Sequence, residues 1–320
     1  MIEIMLNPAS RSGKSQKIWE RIEKKLKEEN IEYRVHFTKD FSKEDTTIEL
    51  LYDEYLKKGE ELHLVVMGGD GTINGVVQRL PAFENVKLTI IPSGSSNDLA
   101  RDIGIKGKCE DILLKAIKNP DTMMIDVGTL HCENSLVRNG SMDIPDRRFV
   151  VSTGIGYDAA VCEEALNSKI KRICNKIGLG KLTYLGIALK QLASTKYITG
   201  ELTLDDDEEN IISLERLLFL AGMNHRFEGG GFKFGPEANN HDGMLEICMV
   251  SKIAKAKILM VLPTAFKGNH FKYDGVDHYR VRKYTVRTSV PLWVHVDGEV
   301  GTMADFVEVS TMKEVLKLVY

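Results

Sequence analysis

Gly68-Gly69-Asp70-Gly71-Thr72 follows directly on the apolar run Leu62-His63-Leu64-Val65-Val66-Met67 and leads into the helical pattern Ile73 to Leu80. A buried strand that ends in glycines and then opens a helix leaves backbone N–H groups pointing outward at a helix N-terminus, a geometry that binds anions. Glycine permits positive φ and close approach of the backbone to a ligand. Asp70 supplies a charge that acts on phosphate only through a metal or a proton. The turn therefore reads as a nucleotide-phosphate cradle. The plainer account of the same residues is a tight strand-to-helix turn with Asp70 as N-cap.

Two further polar turns follow apolar strand patterns. After Ile2–Leu6 comes Asn7-Pro8-Ala9-Ser10-Arg11-Ser12-Gly13-Lys14-Ser15, where Gly13-Lys14-Ser15 opens a helix in the manner of a P-loop. The match fails at Pro8. GxxxxGK[ST] needs glycine there, and proline's fixed φ and missing N–H deny the loop a phosphate donor. The third turn, Pro92-Ser93-Gly94-Ser95-Ser96-Asn97-Asp98-Leu99-Ala100-Arg101, follows Leu88–Ile91. Asp98 and Arg101, three apart on a first helical turn, share a face and either pair or flank an anion. In an open α/β sheet such turns collect at the carboxyl edge, where ligands bind. Helix capping accounts equally well for Ser10 or Ser12 singly, and for Ser96 to Asp98.

The elements that must position these turns are short apolar runs alternating with amphipathic stretches through the first ~128 residues, the pattern of a doubly wound parallel sheet. Strands are expected at Ile2–Leu6, Glu32–Phe37, His63–Met67, Lys87–Ile91 and Met124–Val127. Helices are expected at Lys14–Glu29, Lys43–Lys58, Gly71–Leu80 and Glu110–Lys118. From about Thr129 the texture becomes period-two, in Arg148–Thr153, Gly200–Leu204, Arg216–Ala221, Leu245–Met249, Tyr279–Thr288 and Leu292–Val296. That texture predicts an antiparallel second domain. Asp158–Ser194 interrupts it with a helical insert, and Asp205-Asp206-Asp207-Glu208-Glu209 reads as a solvated hairpin tip.

The chain has 320 residues, 43% of them hydrophobic and 28% charged, which suits two globular domains. A net charge of −3 argues against a dedicated nucleic-acid binder. The five scattered cysteines lack CxxC pairing and suit a reducing cytoplasm. The N-terminus has neither the basic start nor the apolar core of a signal peptide, and no run approaches the ~18 apolar residues needed to span a bilayer. Membrane contact is expected to be peripheral, at the inner face.

In the order Asn7-Pro8-Ala9-Ser10, Gly68 to Asn74, Pro92 to Arg101, Asp126-Val127-Gly128, Gly154-Ile155-Gly156-Tyr157-Asp158-Ala159, Gly229-Gly230-Gly231, Pro236-Glu237-Ala238, Asp242-Gly243 and Val296-Asp297-Gly298-Glu299, the chain resembles the diacylglycerol kinase catalytic family, bacterial lipid kinases related to sphingosine and ceramide kinases. The resemblance implies an N-terminal NAD kinase-like ATP domain over 1–128, a β-sandwich acceptor domain over 129–304 and a tail over 305–320 that packs back on the first domain. It implies transfer of the ATP γ-phosphoryl to a lipid hydroxyl with magnesium, in phospholipid biosynthesis, a reaction that needs charge neutralisation, in-line positioning and a base.

By the same resemblance Asn7, Ser10, Thr38, Gly68, Gly69, Asp70, Gly71, Thr72, Asn74 and Ser95 line the ATP site, with Asp70 also holding catalytic magnesium. Asp98 joins Asp70 in catalysis, and Lys14 and Arg101 lie toward the substrate. Glu299 matches the proton acceptor for the lipid hydroxyl, its basicity raised by desolvation. Asp242 matches a ligand of a structural magnesium, with main-chain carbonyls from Asn239 and Met244. The chain departs from the family pattern at Arg11, Gly75, Ser95, Ser96 and Leu99 without losing a charged catalytic group.

Residues 169–196 carry Lys169, Lys171, Arg172, Lys176, Lys181, Lys190 and Lys196 among apolar residues without an acid. Such a segment suits either a helix pair resting on anionic headgroups or a core-packed insert with a basic face. Diacylglycerol leads as acceptor, with phosphatidylglycerol or a sphingoid base as alternatives. NAD kinase-type activity and a catalytically silent lipid or nucleotide sensor complete the set. Exposed edge strands in the second domain are compatible with a homodimer.

Overall fold

A computed structural model describes residues 1–7, 15–37, 46–133, 136–137, 140–141, 145–168 and 180–320. The expectations placed on Ser10, Lys14, Thr38 and residues 169–179 fall outside these. The described chain divides into a first unit, Met1–Val127 with Lys313–Tyr320, and a second unit, Gly128–Met312.

In chain order the first unit holds β1 (Ile2–Leu6), α1 (Ser15–Glu28), β2 (Tyr33–Phe37), α2 (Thr47–Lys58), β3 (Leu62–Gly68), α3 (Asp70–Arg79), β4 (Val86–Pro92), α4 (Asp98–Ile103), α5 (Cys109–Lys118) and the start of β5 (Thr122–Glu133). Strands β2, β1, β3 and β4 lie side by side and parallel, in that order. Every residue of β1 and β3 is buried, which is why both read as unbroken apolar runs rather than alternations. Helix α1 presents Ile18, Trp19, Ile22 and Leu26 at helical spacing and buries them in one cluster with Ile4, Leu6, Val65, Met67 and Ile91. The end of the last strand, β16 (Glu299–Val319), extends this sheet at Lys317 and Leu318, parallel to β4. The buried Thr89 hydroxyl contacts the His63 ring at 2.9 Å and donates to the Val319 carbonyl at 2.9 Å, tying three strands together.

The second unit is antiparallel. After β6 (Leu136–Val137), β7 (Gly140–Ser141) and β8 (Arg147–Phe149) come β9 (Ser152–Gly156), α6 (Tyr157–Asn167), α7 (Gly180–Ser194), β10 (Ile198–Leu204), β11 (Ile212–Leu217), β12 (Phe219–Met223), β13 (Leu245–Val250), α8 (Lys255–Val261), two 3₁₀ turns at Leu262–Lys267 and His270–Lys272, β14 (Val276–Val281), β15 (Lys283–Val296) and β16. The order β14-β13-β12-β9-β15-β16 builds a β-sandwich domain. β15 shifts register between Arg287 and Leu292, so its first half pairs with β10 and its last residues with β9. Two strands expected as single pieces are split. Arg216, left-handed at φ 53°, lies where β11 gives way to β12, and Arg282 separates β14 from β15.

Helices α6 and α7 are the described part of the insert. Ile187 and Leu192 of α7 are buried with Tyr157, Val161 and Ala165 of α6, and Lys190 pairs with Glu164 at 2.6 Å. Through Ile187 and Leu192 that half of the 169–196 segment packs on α6, and Lys190 is ion-paired. Among the described residues no helix is long and apolar enough to cross a membrane.

Candidate functional site

Each unit holds one constellation. In the first, the turns after β3 and β4 interlock. Ser93 N–H donates to the Gly68 carbonyl at 2.9 Å, and an added Cβ on Gly94 would stand 2.3 Å from the Gly69 Cα. Two backbones this close leave room only for glycine. Asn97, left-handed at φ 51°, closes the second turn on itself: its amide oxygen accepts from Gly94 N–H at 2.9 Å, and its Nδ2 donates to the Gly94 carbonyl at 3.0 Å.

Asp70 is the hinge of this arrangement. It is the first residue of α3, yet it does not cap that helix, whose N-cap is Gly69. Its carboxylate instead accepts from Asp98 N–H at 3.0 Å and Leu99 N–H at 3.2 Å, serving the N-terminus of α4. Each oxygen keeps a lone pair, so the carboxylate fits a divalent cation while still bound to α4.

Asp98 is buried and ion-paired with Arg101, which also donates to the Ser96 carbonyl at 3.2 Å. Of the two arrangements open to that pair, the ion pair is the one formed. Ser95 is exposed at the turn, and Gly71 lies half-buried at the start of α3. Thr72 is buried, its side chain lying where a Cβ on Gly68 would be. Asn74 is buried on α3, its Oδ1 accepting from Gln78 at 3.4 Å. Asn7, at the end of β1, donates its N–H to the Met67 carbonyl at 3.4 Å, so the first and second turns start side by side.

In the second unit Asp297-Gly298-Glu299 joins β15 to β16. Asp297 is left-handed at φ 50°, and its carboxylate accepts three backbone N–H groups, from Val150 at 2.9 Å, Val151 at 2.7 Å and Ser152 at 3.0 Å. Its own N–H donates to the Ser152 carbonyl at 2.8 Å. The turn is thus clamped to the start of β9, which fixes where Glu299 begins β16. Arg147 donates to the Glu299 carbonyl at 3.1 Å; burial lowers its guanidinium pKa, and the Glu299 and Asp297 carboxylates oppose that.

Behind the turn His295 is fully buried, its Nε2 lying 3.1 Å from Asp158 Oδ2 and 3.2 Å from Glu228 Oε1. Gly298 N–H donates to its Nδ1 at 3.2 Å. With Nδ1 accepting from Gly298, the ring's proton lies on Nε2, facing both carboxylates. The three ligand atoms lie within 4.8 Å of one another, the spacing of a metal site. With that proton in place the three side chains form a hydrogen-bonded brace, and a cation bound there would take the proton's place. A Cβ at Gly154 would stand 2.0 Å from Asp158 Oδ2 and 2.6 Å from His295 Nε2, so glycine is what lets the two meet.

Sequence reasoning missed Glu228 and His295. The available signal was Gly229-Gly230-Gly231, all at positive φ, which folds Phe232 back to exchange hydrogen bonds of 2.9 and 3.0 Å with Glu228 and so fixes the glutamate.

At Asp242, expected to hold a structural magnesium, Oδ1 accepts from Met244 N–H at 2.8 Å and the other oxygen is ion-paired with Arg280. A cation bound there would share or replace the Arg280 contact.

Nearby Glu246 is buried, with Oε2 accepting from Glu237 N–H at 2.8 Å and His278 Nε2 lying 2.9 Å from Oε1. Burial pushes its carboxyl from the ordinary 4.5 up to about 7. The group therefore stabilises the fold fully below 4.5, and that contribution is lost as pH rises through about 7. Glu246→Gln keeps the shape without the charge. It is expected to shrink the stability difference between about pH 5 and about pH 8 by on the order of 2–3 kcal/mol. Urea unfolding at both pH values measures this, and an unchanged difference would refute it.

Residues 2–130 match the model of the diacylglycerol kinase catalytic domain, and residues 150–319 match that of the YegS C-terminal NAD kinase beta sandwich-like domain. The chain is 28% identical over 303 residues to the Bacillus subtilis (strain 168) protein named "Putative lipid kinase YtlR", covering 92% of each chain. It is 29% identical over 237 residues to a diacylglycerol kinase of Mycobacterium tuberculosis (strain CDC 1551 / Oshkosh), covering 74% of this chain and 70% of the other. A crystal structure of a diacylglycerol kinase from Bacillus anthracis str. Sterne superposes with a TM-score of 0.66 at 18% identity, covering 100% of this chain and 96% of that one, a likeness of fold.

Proposed function

The chain joins a diacylglycerol kinase catalytic domain to a YegS-type β-sandwich domain and so belongs to that family of lipid kinases; from this premise we propose that it transfers the γ-phosphoryl of ATP to the hydroxyl of diacylglycerol, giving phosphatidate. The observation that supports the reading most is the pair of interlocked turns around Asp70, inside the residues matched by the catalytic-domain model. They offer the first-turn N–H groups of α3 to phosphate oxygens. Asp70 would hold the divalent cation that offsets charge on the transferring group. The Asp98–Arg101 pair keeps the first turn of α4 in place beside it.

Glu299 is the base in this reading. A carboxylate at the end of a clamped turn takes the acceptor hydroxyl's proton as the new O–P bond forms and the bond from the γ-phosphorus to the bridging oxygen breaks, with ADP leaving. The coarse activity follows from family membership, and the acceptor is the part that experiment must fix. Phosphatidylglycerol and sphingoid bases present a hydroxyl of the same kind.

The deciding measurement is incubation of the protein and magnesium with labelled ATP and a panel of lipid alcohols, with product identified by mass spectrometry. Labelled phosphatidate from diacylglycerol is the expected result. A different labelled lipid would reassign the acceptor, NADP from NAD would replace the lipid reading, and an unlabelled panel would leave a silent sensor.

A further inference from the structure

The helix α8 and the 3₁₀ turn after it are built inside out at their outer face. Ile258, Val261 and Ala265 point inward and are buried. The positions between them, Ala256, Leu259, Met260, Pro263 and Phe266, recur at helical spacing and are all exposed, Leu259 at 48%, Met260 at 68% and Phe266 at 52%. A surface helix ordinarily turns polar residues outward. This one turns outward a stripe with no polar side chain at all.

Lysine predominates around the stripe, with Glu215 and the exposed Asp274 as acids beside it. From Ile247 to Tyr273 the chain contains Lys252, Lys255, Lys257, Lys267 and Lys272 and no aspartate or glutamate. Lys252 is neutralised by Glu215 at 3.4 Å. Lys255 and Lys257 donate only to main-chain carbonyls, those of Ala193 and Asp274, and keep their charge. Lys267 and Lys272 are exposed, as is Tyr273. Phe266 stacks on Phe232 at 3.9 Å, so its ring is held at the surface by an aromatic neighbour.

We propose that the face formed by Leu259, Met260 and Phe266, rimmed by Lys255, Lys257, Lys267 and Lys272, docks on an anionic bilayer surface. Apolar side chains enter the boundary between headgroups and acyl chains while the lysines meet lipid phosphates, the combination that makes an interfacial helix bind. The excess of lysine gives the face the charge an anionic surface attracts, and the protruding Leu259, Met260 and Phe266 beside those lysines are what favour a bilayer, which can take in apolar side chains and charge together. The inference rests on the lipid-kinase reading only in giving the docking a purpose; the contact itself is a property of this face.

The test uses the full chain with sedimented vesicles of phosphatidylcholine alone or mixed with phosphatidylserine, neither of which is a candidate acceptor. Wild type is expected to bind the mixed vesicles and to lose binding as salt rises. Met260→Ser alone and Met260→Ser with Phe266→Ser are expected to bind about 10-fold more weakly, and Lys267→Gln with Lys272→Gln to bind weakly to mixed vesicles only.

Phosphorylation of a short-chain acceptor dispersed in detergent is expected to be unchanged in all three variants, as is the melting temperature. Wild type that ignores the vesicles, or variants that bind them like wild type, would overturn the docking. So would a wild-type oligomer that Met260→Ser dissolves while vesicle binding persists, since that places a second copy on the face. Loss of lipid phosphorylation by wild type in detergent would instead strike the functional reading and leave vesicle binding standing.

Discussion

Glu299→Gln is expected to lower lipid phosphorylation by about 10²–10⁴-fold, the usual contribution of a positioned general base. The substitution keeps the side chain's length and removes only its capacity to take a proton. The turn that presents it is held mainly by three N–H groups on Asp297, with Arg147 on the Glu299 carbonyl, and the Glu299 carboxylate also helps to keep the buried Arg147 charged. The variant should therefore fold with a modestly lower melting temperature and bind ATP with a wild-type KM while kcat falls. Steady-state kinetics with varied ATP and a fixed lipid acceptor make the comparison, and a variant with wild-type kcat would remove Glu299 from the chemistry.

Asp70→Ala should fail in two ways at once. It uncaps α4 by stripping both acceptors from Asp98 N–H and Leu99 N–H, which costs on the order of 2 kcal/mol. It also removes the charge that suits a divalent cation, and phosphorylation should fall by at least about 10³-fold. Asp70→Asn separates the two losses. Its amide oxygen can accept from only one of the two N–H groups while its NH2 faces the other, so only part of the stability should return, and activity should not. If Asp70→Asn restored activity together with stability, the carboxylate would be a structural cap and nothing more.

The strand-to-helix turn between β3 and α3 was legible because its signal is local: glycines and a carboxylate directly after an apolar run. The same holds for the all-buried β3 and for α1, whose apolar spacing is its burial pattern. What Asp70 does with its carboxylate was not legible, since its partners stand 28 and 29 residues away and are backbone atoms with no sequence signature. The brace behind Glu299 was hidden for the same reason, with Asp158 brought to His295 from helix α6 and Glu228 from a loop, both distant in sequence. Asp242 fits a metal motif by composition, and its ion pair with Arg280 of β14 has no local signature. Breaks at Leu218 and Arg282 escaped a period-two reading because nothing local marks them.

The close approach of Gly69 and Gly94 also limits how this protein can be engineered. A side chain at either position needs the other turn to retreat, and the Ser93 to Gly68 hydrogen bond holds it in place. A library that randomises one loop at a time would recover only glycine at these two positions, however strong the selection. New donor specificity would have to come from remodelling both loops together as a single exchangeable cassette, from Gly68 through Leu99.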